Sequence, residues 1–494
     1  MGELLLGIDL GTTGTKAILL APGGGIVAEA TVASALHSDR PGFAEADTGQ
    51  WWENVRAAIR ELLQRSGAAP GDVAGVATSG MVPAVVPLDA GGTPLRRAIL
   101  QNDARAVAEI DELASALHSV DLVALTGSAL TQQSVAPTLR WLERHEPEVA
   151  SATRSLAGSY DWLLRRLGAE PHVERNWAIE SGLYDLGGAP LPAVLEAAGI
   201  DPALLPPVVD GGTVVGEVSA AAAAETGLAA GTPLVAGGAD HVLSAYAAGL
   251  SAPGDTLVKL GGAGDVLIVA DGVFTDARLY LDAHPMPGLW LPNGCMATSG
   301  SLIRWFQALV GGADLLTLDD EARERPPAEV LCLPYFLGEK SPLHDPALRG
   351  AFAGLHLGHD RADMYRSVLE AVAYGFRHHF DVLAERGVAV GPIRVTNGGS
   401  KSVLWKQIHA DVLRRTLTPI VDHPGASLGA ALAAGVGTGR VDGWGAVADH
   451  VRLGEPVEPD PARAAAYDEA YALWRRLGDT MTPISHSLAA RSAA

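Results

Sequence analysis

An aspartate at position 240 has the local surroundings of a general base. The apolar run Val235-Ala236 breaks into Gly237-Gly238, and Asp240 then opens an alanine-rich stretch with helical character. A carboxylate between a strand and a helix can stay in contact with solvent and accept a proton from a hydroxyl group. The same position suits an N-cap for a helix that begins near His241, and local spacing alone favours the cap. We interpret His241 as an orienting or packing group.

A glycine-rich turn between two apolar runs near the start of the chain has the composition of a phosphate-binding site. Gly11 lets the backbone approach an anion closely, and the hydroxyl groups of Thr12 and Thr13 add donors. Asp9 ends the first run and can hold a water molecule bound to Mg²⁺, and Lys16 is assigned to the same site. A second strand follows instead of a helix, which excludes the dinucleotide and P-loop patterns. The alternative is an ordinary hairpin with a buried aspartate, and spacing alone does not decide.

Two further glycine-rich segments suit a nucleotide. Residues 261–264 form a second strand–turn–strand unit with another possible nest of N–H groups, although a plain hairpin is the default interpretation of such a turn. Residues 397–401 follow an apolar strand and precede a helix, a shape that admits a ribose or a base against bare backbone. Alone, that segment is more often a simple turn. The predicted nucleotide-binding residues of the two segments are Gly261, Gly262, Gly398, Gly399, Ser400 and Lys401.

A polar loop in the first half of the chain offers groups that can read hydroxyls. Asn102, Asp103 and Arg105 together supply carbonyl, carboxylate, amide and guanidinium groups. Asp103 could equally cap a helix predicted over Ala104–Leu117, and on local grounds the cap is favoured. The loop is therefore a candidate substrate site whose local alternative is structural.

Charge and composition exclude several classes of partner. The chain has 36 basic and 57 acidic residues, a formal net charge of -21. Such a surface repels nucleic acid and anionic membranes, so neither is an expected partner. The two cysteines, Cys295 and Cys332, show no metal-ligand spacing and are interpreted as reduced thiols. The chain shows no signal peptide and no run of about 20 apolar residues, and we expect a cytoplasmic protein.

The length and the order of elements predict two α/β lobes. At 494 residues the chain is too long for one hydrophobic core. Each half mixes strands with helices and carries a glycine turn at the end of an apolar strand, so two lobes with a cleft between them are the natural architecture. A hinge near residues 249–254 divides the chain into lobes at 1–249 and 250–494.

The individual elements follow from hydrophobic periodicity and turn residues. The predicted strands are Leu4–Leu10, Lys16–Leu20, Ile26–Val32, Val73–Thr78, Ala84–Leu88, Thr256–Leu260, Asp265–Ala270, Ile393–Thr396 and Thr416–Val421. The predicted helices are Gln50–Leu63, Ala104–Leu117, Val403–Val412, Ala426–Ala434 and Pro461–Leu477. The last residues, 485–494, are expected to fray.

Taken together, these segments resemble the FGGY carbohydrate kinase family over nearly the whole chain. Residues 7–16 resemble its first phosphate motif, 261–264 its second and 397–401 its adenosine motif. Asp240 stands where the family keeps its catalytic base. The segment 333–342, LPYFLGEKSP, is similar to a long family signature and is the most specific match. Within the family the chain resembles the xylulokinases most.

Four positions depart from the pattern of the xylulokinases. Val82 follows Met81 where those enzymes have histidine, Gln101 replaces a tryptophan, and His241 replaces an asparagine. Gly262 stands where a hydroxyl residue is usual, which leaves ATP binding to backbone donors. The first three changes leave the identity of the sugar open. By this resemblance, the predicted substrate-binding residues are Met81, Val82, Asn102, Asp103, Arg105, Asp240 and His241.

The resemblance implies a fold, a reaction and its cofactors. It predicts two actin-like, ribonuclease H-like lobes with an interlobe cleft, with sugar, first phosphate motif and base in lobe 1–249 and nucleotide in lobe 250–494. ATP and Mg²⁺ are the implied cofactors, with Asp9 at the metal. D-xylulose leads among the acceptors, before other ketopentoses, polyols and aldonates, and a homodimer is expected from family habit. The alternative is a catalytically impaired sugar sensor, because Val82 and Gly262 depart from the pattern.

Overall fold

Two six-stranded mixed sheets form the centre of the molecule. A computed structural model describes residues 3–327 and 329–493. The strand order is β11-β12-β5-β1-β2-β3 in the first sheet and β15-β16-β14-β13-β19-β20 in the second. Four two-stranded ribbons complete the described strands: β4 with β7, β6 with β8, β9 with β10, and β17 with β18. The prediction of a two-lobed α/β fold is confirmed.

Nine of the twenty described strands cover the predicted apolar runs, three of them with the predicted bounds. The twenty strands are β1 Leu4–Leu10, β2 Gly14–Leu20, β3 Ile26–Ala33, β4 Glu45–Ala46, β5 Val73–Gly80, β6 Val86–Leu88, β7 Ala98–Ile99, β8 Ser155–Ala157, β9 Val173–Glu174, β10 Val208–Val209, β11 Val214–Glu217, β12 Pro233–Ala239, β13 Thr256–Leu260, β14 Gly264–Ile268, β15 Tyr280–Ala283, β16 Trp290–Met296, β17 Leu331–Leu333, β18 Ala351–Ala353, β19 Ile393–Thr396 and β20 Leu417–Pro419.

Sixteen α-helices lie within the described residues. They are α1 Thr48–Ser66, α2 Val107–Ala116, α3 Leu122–Thr126, α4 Val135–His145, α5 Pro147–Ala152, α6 Ser159–Leu167, α7 Arg175–Ser181, α8 Pro192–Ala198, α9 Ala220–Thr226, α10 Asp240–Ala247, α11 Gly300–Leu309, α12 Leu315–Arg323, α13 Arg361–Glu385, α14 Val403–Leu413, α15 Ala426–Gly437 and α16 Ala464–Ala493. Within the described part of the chain, no helix combines the length and the apolar character needed to cross a bilayer.

The two sheets are built in the same way. In the first, β1 and β2 form an antiparallel hairpin, and β5 and β12 run parallel to β1. In the second, β13 and β14 form the hairpin, and β19 and β20 run parallel to β13. Because the carboxyl ends of parallel strands meet at one edge, each sheet brings its glycine turn beside the ends of its parallel strands. The second strand–turn–strand unit expected from the sequence therefore has the same place in its sheet as the first.

Two helices cross between the lobes. α10 follows β12 of the first sheet, yet its buried Val242 and Ala245 share a core with Leu257 and Leu267 of the second sheet. α15 belongs to the second half of the chain but packs on β1, β2, β5 and β12 of the first sheet. The division of the chain into lobes at residue 249 stays a prediction. The packing of α15 does not follow it, because this helix lies after residue 249 in the chain and packs on the first sheet.

Two sequence expectations about helix ends are wrong. The helix predicted over Ala104–Leu117 begins only at Val107, because Asp103 accepts the N–H of Arg105, which precedes the helix, and makes no cap bond to α2. Its carboxylate accepts the N–H of Ala44 and pairs with the guanidinium of Arg105. The expected fraying of residues 485–494 is also wrong over 485–493, where α16 continues to Ala493 and Ser485 is 1% exposed; residue 494 lies outside the described residues.

Gly7→Ala tests the crossing of α15 over the first sheet. A Cβ at Gly7 would lie 2.0 Å from the carbonyl oxygen of Ser427 and 2.5 Å from the nitrogen of Ala431, both backbone atoms of α15. We expect the substitution to lower the free energy of unfolding by roughly 1–3 kcal/mol, the usual range for overpacking, in a urea titration. Gly23→Ala is the matched control, because no atom lies within 4 Å of its added Cβ. Equal stability of the two variants would contradict the packing.

Candidate active site

Asp240 lies where the two lobes meet. It is the first residue of α10, and the preceding Ala239 makes no side-chain cap bond. One oxygen of Asp240 accepts the N–H of the next residue, His241, at 2.6 Å, so the local alternative of an N-cap aspartate is wrong. The side chain is 38% exposed and lines a cavity of about 260 Å³. Asp240 is therefore an accessible carboxylate at the edge of a polar cavity.

A close approach of two strands brings Asp240 to this edge. A Cβ at Gly237 would lie 1.8 Å from the carbonyl oxygen of Thr78 in β5, so only glycine allows β12 to lie there. In the register, Ser79 of β5 lies opposite both Gly238 and Asp9. The two aspartates at positions 9 and 240 therefore end neighbouring parallel strands on either side of β5.

Asp9 is influenced by that neighbour. Burial, and then the charge of Asp240, raise the pKa of Asp9 to about 7, while the hydroxyl of Ser79 and the cations Lys16 and Lys259 oppose the rise. Its Oδ1 atom is buried and has no hydrogen-bond partner among the described residues. A buried carboxylate in this state favours either a proton or a cation as its neighbour.

The cavity draws its lining from both halves of the chain. Of the predicted substrate residues, Val82, Asp240 and His241 line it, and so does Gln101, which the sequence comparison singled out as a departure. Lys259 from β13 and Asp282 from β15 line it from the second lobe. The cavity is thus an interlobe site with charged groups of both signs.

His241 connects the predicted base to two further carboxylates. Its Nε2 lies 2.8 Å from Oδ2 of Asp282 and 3.9 Å from Oε1 of Glu180, and its Nδ1 lies 3.5 Å from Oδ1 of Asp240. Burial lowers the pKa of His241, but the carboxylates of Asp282, Asp240 and Glu180 outweigh it and hold that pKa well above its usual value. His241 is therefore a cation at neutral pH, held between acids.

Glu180 and Asp282 were missed by sequence reasoning. Glu180 lies in the short helix α7, and Asp282 is a 2% exposed acid inside the strand β15. Burial, and then the charge of Asp282, raise the pKa of Glu180 well above its usual range, and His241 opposes this. The one available signal was an acid in an otherwise apolar strand, Tyr280–Ala283, because buried acids need partners.

The first glycine turn is fixed by backbone and side-chain bonds. The N–H of Gly11 donates to the carbonyl of Gly14 at 2.9 Å, and the hydroxyl of Thr12 donates to the sulfur of Met81 at 3.2 Å. Thr13 is exposed at the tip. The predicted phosphate turn thus touches Met81, a predicted substrate residue that is 1% exposed and does not line the cavity.

Lys16 points away from this cavity. Its ammonium group donates to the carbonyl of Pro424 at 3.1 Å and lies 3.5 Å from the carboxylate of Glu29. Lys16 therefore ties β2 to the segment before α15, while its charge still acts on Asp9.

The second glycine turn and the segment at 397–401 are neighbours. The carbonyls of Gly261 and Gly262 accept the N–H groups of Gly300 and Ser299, at 2.7 and 2.8 Å. The side-chain amide of Asn397 lies 3.1 Å from where a Cβ of Gly261 would stand. Because β13 and β19 are parallel and adjacent, the two predicted nucleotide segments lie at one edge of the second sheet.

Within the segment at 397–401 the glycines differ. A Cβ at Gly399 would lie 2.2 Å from the ring of Trp405, whereas one at Gly398 would meet no atom within 4 Å. The hydroxyl of Ser400 donates to the carbonyl of Asn397 at 2.7 Å, and Lys401 is exposed. Gly398 therefore presents open backbone, and Gly399 is required by packing.

The polar loop at 102–105 lies outside the cavity lining. Arg105 is buried, pairs with Glu45 and Asp103, and lies 4.0 Å from the ring of Phe43. Asn102 is exposed. The loop is held by this buried ion-pair network, and it carries Gln101, which does line the cavity.

Known protein families and single proteins match most of the chain, including both lobes. Residues 4–247 match the N-terminal domain of the FGGY family of carbohydrate kinases, and residues 268–438 match its C-terminal domain. The chain is 30% identical over 97% of both chains to "L-xylulose/3-keto-L-gulonate kinase" of Escherichia coli (strain K12). It is 28% identical to "Xylulose kinase" of the same strain, over 97% of this chain and 100% of that one.

A solved structure gives the same result. The crystal structure of xylulose kinase from Rhodospirillum rubrum superposes with a TM-score of 0.93 at 43% identity, covering 98% of this chain and 100% of that one. The match extends over both lobes, so the family assignment does not depend on one motif. This chain belongs to the FGGY family of carbohydrate kinases.

Proposed function

We propose that this carbohydrate kinase transfers the γ-phosphoryl group of ATP to a hydroxyl of a ketopentose such as D-xylulose, with Asp240 as catalytic base. The observation that carries the proposal is the position of Asp240, an exposed carboxylate on a polar cavity that both lobes line. A volume of about 260 Å³ suits a small sugar. The names of the similar proteins favour a xylulose.

The nucleotide is proposed to lie along the facing strand ends. Beyond the N–H of Gly11, which is bonded within its turn, the turns at residues 11–13 and 261–264 are proposed to offer backbone N–H groups to the phosphates. The open backbone at Gly398, beside the second turn, supports contact with the ribose or base. Since the chain carries a net charge of -21, such local donors have to overcome a repulsive surface.

Asp9 fits the magnesium ion that the family typically uses. Its Oδ1 is buried and unpaired among the described residues, and hard divalent cations take oxygen ligands. A cation there would offset the repulsion between Asp9 and Asp240. We propose that Asp9 holds Mg²⁺, directly or through its water, and that the ion would neutralise charge on the phosphates of ATP.

The remaining steps use groups of the chain itself. Asp240 accepts the proton of the acceptor hydroxyl as that oxygen attacks the γ-phosphorus in line. The positive charge of His241 offsets the negative charge of the neighbouring carboxylates. Lys259, near Asp240, adds positive charge on the nucleotide side. Lining from both lobes lets lobe closure exclude water from the reaction.

A sugar acid is the second candidate for the acceptor. The name of the similar Escherichia coli protein, which includes 3-keto-L-gulonate beside L-xylulose, supports this candidate. Val82, Gln101 and His241 are the cavity positions that depart from the xylulokinase pattern, so they support a choice of acceptor particular to this chain. The cytoplasmic location and the homodimer stay predictions of the sequence.

Asp240→Asn tests the assignment of the base. We expect kcat for the best acceptor to fall roughly 10²–10⁴-fold, since the amide cannot take the proton, while the affinity for ATP stays close to wild type. Acceptor-dependent release of ADP gives the rate, and calorimetry gives the affinity. Asp271→Asn, at an exposed aspartate, is the matched control. Turnover near the wild-type value in Asp240→Asn would reject the assignment.

Asp9→Asn tests the raised pKa of Asp9 through the pH dependence of the free energy of unfolding. Between an ordinary aspartate pKa of about 4 and its folded value of about 7, folded Asp9 keeps a proton that the unfolded chain has lost. The wild type therefore loses stability as pH rises through this window.

Asparagine does not ionise, so the variant does not lose stability in this way. Its free energy of unfolding without ligands should exceed that of the wild type by roughly 1–3 kcal/mol above about pH 7. The difference should shrink to near zero at about pH 4. Urea titrations across this range measure it. A difference that does not change with pH would contradict the raised pKa.

A further inference from the structure

An asparagine of the first lobe pairs with the edge of the second sheet. Asn176 lies in α7 and is 2% exposed. Its side-chain amide donates to the carbonyl of Ala283 in β15 at 3.1 Å, and its Oδ1 accepts the N–H of Ala283 at 2.7 Å. These are the two bonds that a residue of a neighbouring antiparallel strand would exchange with Ala283. A helix of the first lobe therefore takes the place of a further strand at this edge.

The register of β15 explains why the backbone of Ala283 is free for this pairing. β15 is the terminal strand of its sheet, and β16 is its neighbour. Trp290, opposite Ala283 in that register, bonds through both its N–H and its carbonyl to Ala270 instead. Ala283 is 7% exposed, and buried backbone groups that stay unpaired reduce stability. Asn176 therefore satisfies two backbone groups that β16 leaves unpaired.

The amide of Asn176 is also fixed on the side of the first lobe. Its Nδ2 donates to Oε1 of Glu174 at 3.1 Å, and its backbone N–H donates to Oε2 of Glu174 at 3.0 Å. That Oε2 also accepts the hydroxyl of Tyr160 at 3.0 Å. Glu174 lies beside β12, since its Cδ is 3.7 Å from where a Cβ of Gly238 would stand. Asn176 thus connects β15 to the strand that leads directly into Asp240.

The residue before Ala283 extends this connection to the proposed base. Side chains alternate along a strand, so Asp282 points to the opposite face from Ala283. Its Oδ2 lies 2.8 Å from Nε2 of His241, whose Nδ1 lies 3.5 Å from Oδ1 of Asp240. The position of β15 against the first lobe therefore sets the position of Asp282 against His241.

α7 makes a second contact with the same strand. Glu180 follows Asn176 by four residues and lies on the same face of the helix. One of its oxygens lies within 4.8 Å of an oxygen of Asp282. Two acids repel each other when both are charged. Of the two contacts, the pairing of Asn176 is therefore the one that holds the strand in place.

We propose that Asn176 is a positioning residue of the kinase: it holds β15 against α7, and thereby keeps Asp282 on His241 and His241 beside the base. The proposal rests on the proposed function and adds a residue outside the cavity to it. Asn176 is not among the described residues that line the cavity, so its effect passes through β15. A misplacement of about 1 Å in a reacting group can lower a rate about 100-fold, so the effect on turnover is measurable.

Asn176→Leu tests the positioning on the purified full chain. Leucine has nearly the same shape and makes none of the three side-chain bonds of the amide. With ATP, Mg²⁺ and the best acceptor, we expect kcat to fall roughly 10–100-fold, with the KM for ATP within about twofold of wild type. Rates are measured where urea titrations show each variant to be fully folded.

Tyr184→Phe is the matched control for a purely structural role. The hydroxyl of Tyr184 donates to the carbonyl of Pro206 at 2.8 Å, a buried side-chain bond within the first lobe. Its loss should lower stability and leave kcat within about twofold of wild type. A wild-type kcat in Asn176→Leu, or an equal loss of kcat in both variants, would overturn the inference.

Asp282→Asn tests the route through β15. This substitution should itself lower kcat roughly tenfold, and Asn176→Leu added to it should lower kcat by less than about a further twofold, because both act on one contact. Fold-changes that multiply in the double variant would overturn the route. If Asn176→Leu does not fold, Asn176→Asp replaces it in the same comparison, since aspartate keeps the acceptor for Ala283 and loses the donors. If the wild type phosphorylates no acceptor, the proposed function fails and the inference fails with it.

Discussion

The site depends on two carboxylates that the first sheet forces together. β1 and β12 are both parallel to β5, one on each side, so Asp9 and Asp240 end at the same edge. Burial and mutual repulsion raise the pKa of Asp9, and the nearby cations Lys16 and Lys259 offset this only in part. An edge with surplus negative charge favours metal ions, protons and cationic side chains, which is the environment that phosphoryl transfer requires.

Two helices, α10 and α15, lie between the two sheets at this edge. α10 carries Asp240 and packs chiefly on α15, and its Val242 and Ala245 share a core with Leu257 and Leu267 of the second sheet, while α15 packs on the first sheet. The close backbone contacts at Gly7 and Gly429 allow α15 to lie against β1 and α10.

Local features of the fold could be predicted from sequence, and contacts across the cleft could not. The apolar runs Leu4–Leu10 and Thr256–Leu260 were predicted to their bounds, because alternation and flanking glycines determine strands locally. The start of α2 was wrong because Asp103 pairs with Arg105 and Ala44, the latter remote in sequence.

The same distinction holds for the site. Asp240 and His241 were found because glycines interrupt an apolar strand just before them. Glu180 and Asp282 belong to a short helix and an edge strand with no motif, and only tertiary packing brings them to His241. The packing of α10 and α15 between the sheets could not be predicted either. Periodicity shows which face of a helix is buried but not which sheet covers that face.

The most direct test of the central claim is a crystal structure with D-xylulose and a non-hydrolysable ATP analogue bound together. The reacting hydroxyl is expected within about 2.6–3.2 Å of an Asp240 oxygen, with the γ-phosphate between the two glycine turns. A sugar bound outside the cavity, or a reacting hydroxyl directed at a different acid, would contradict it.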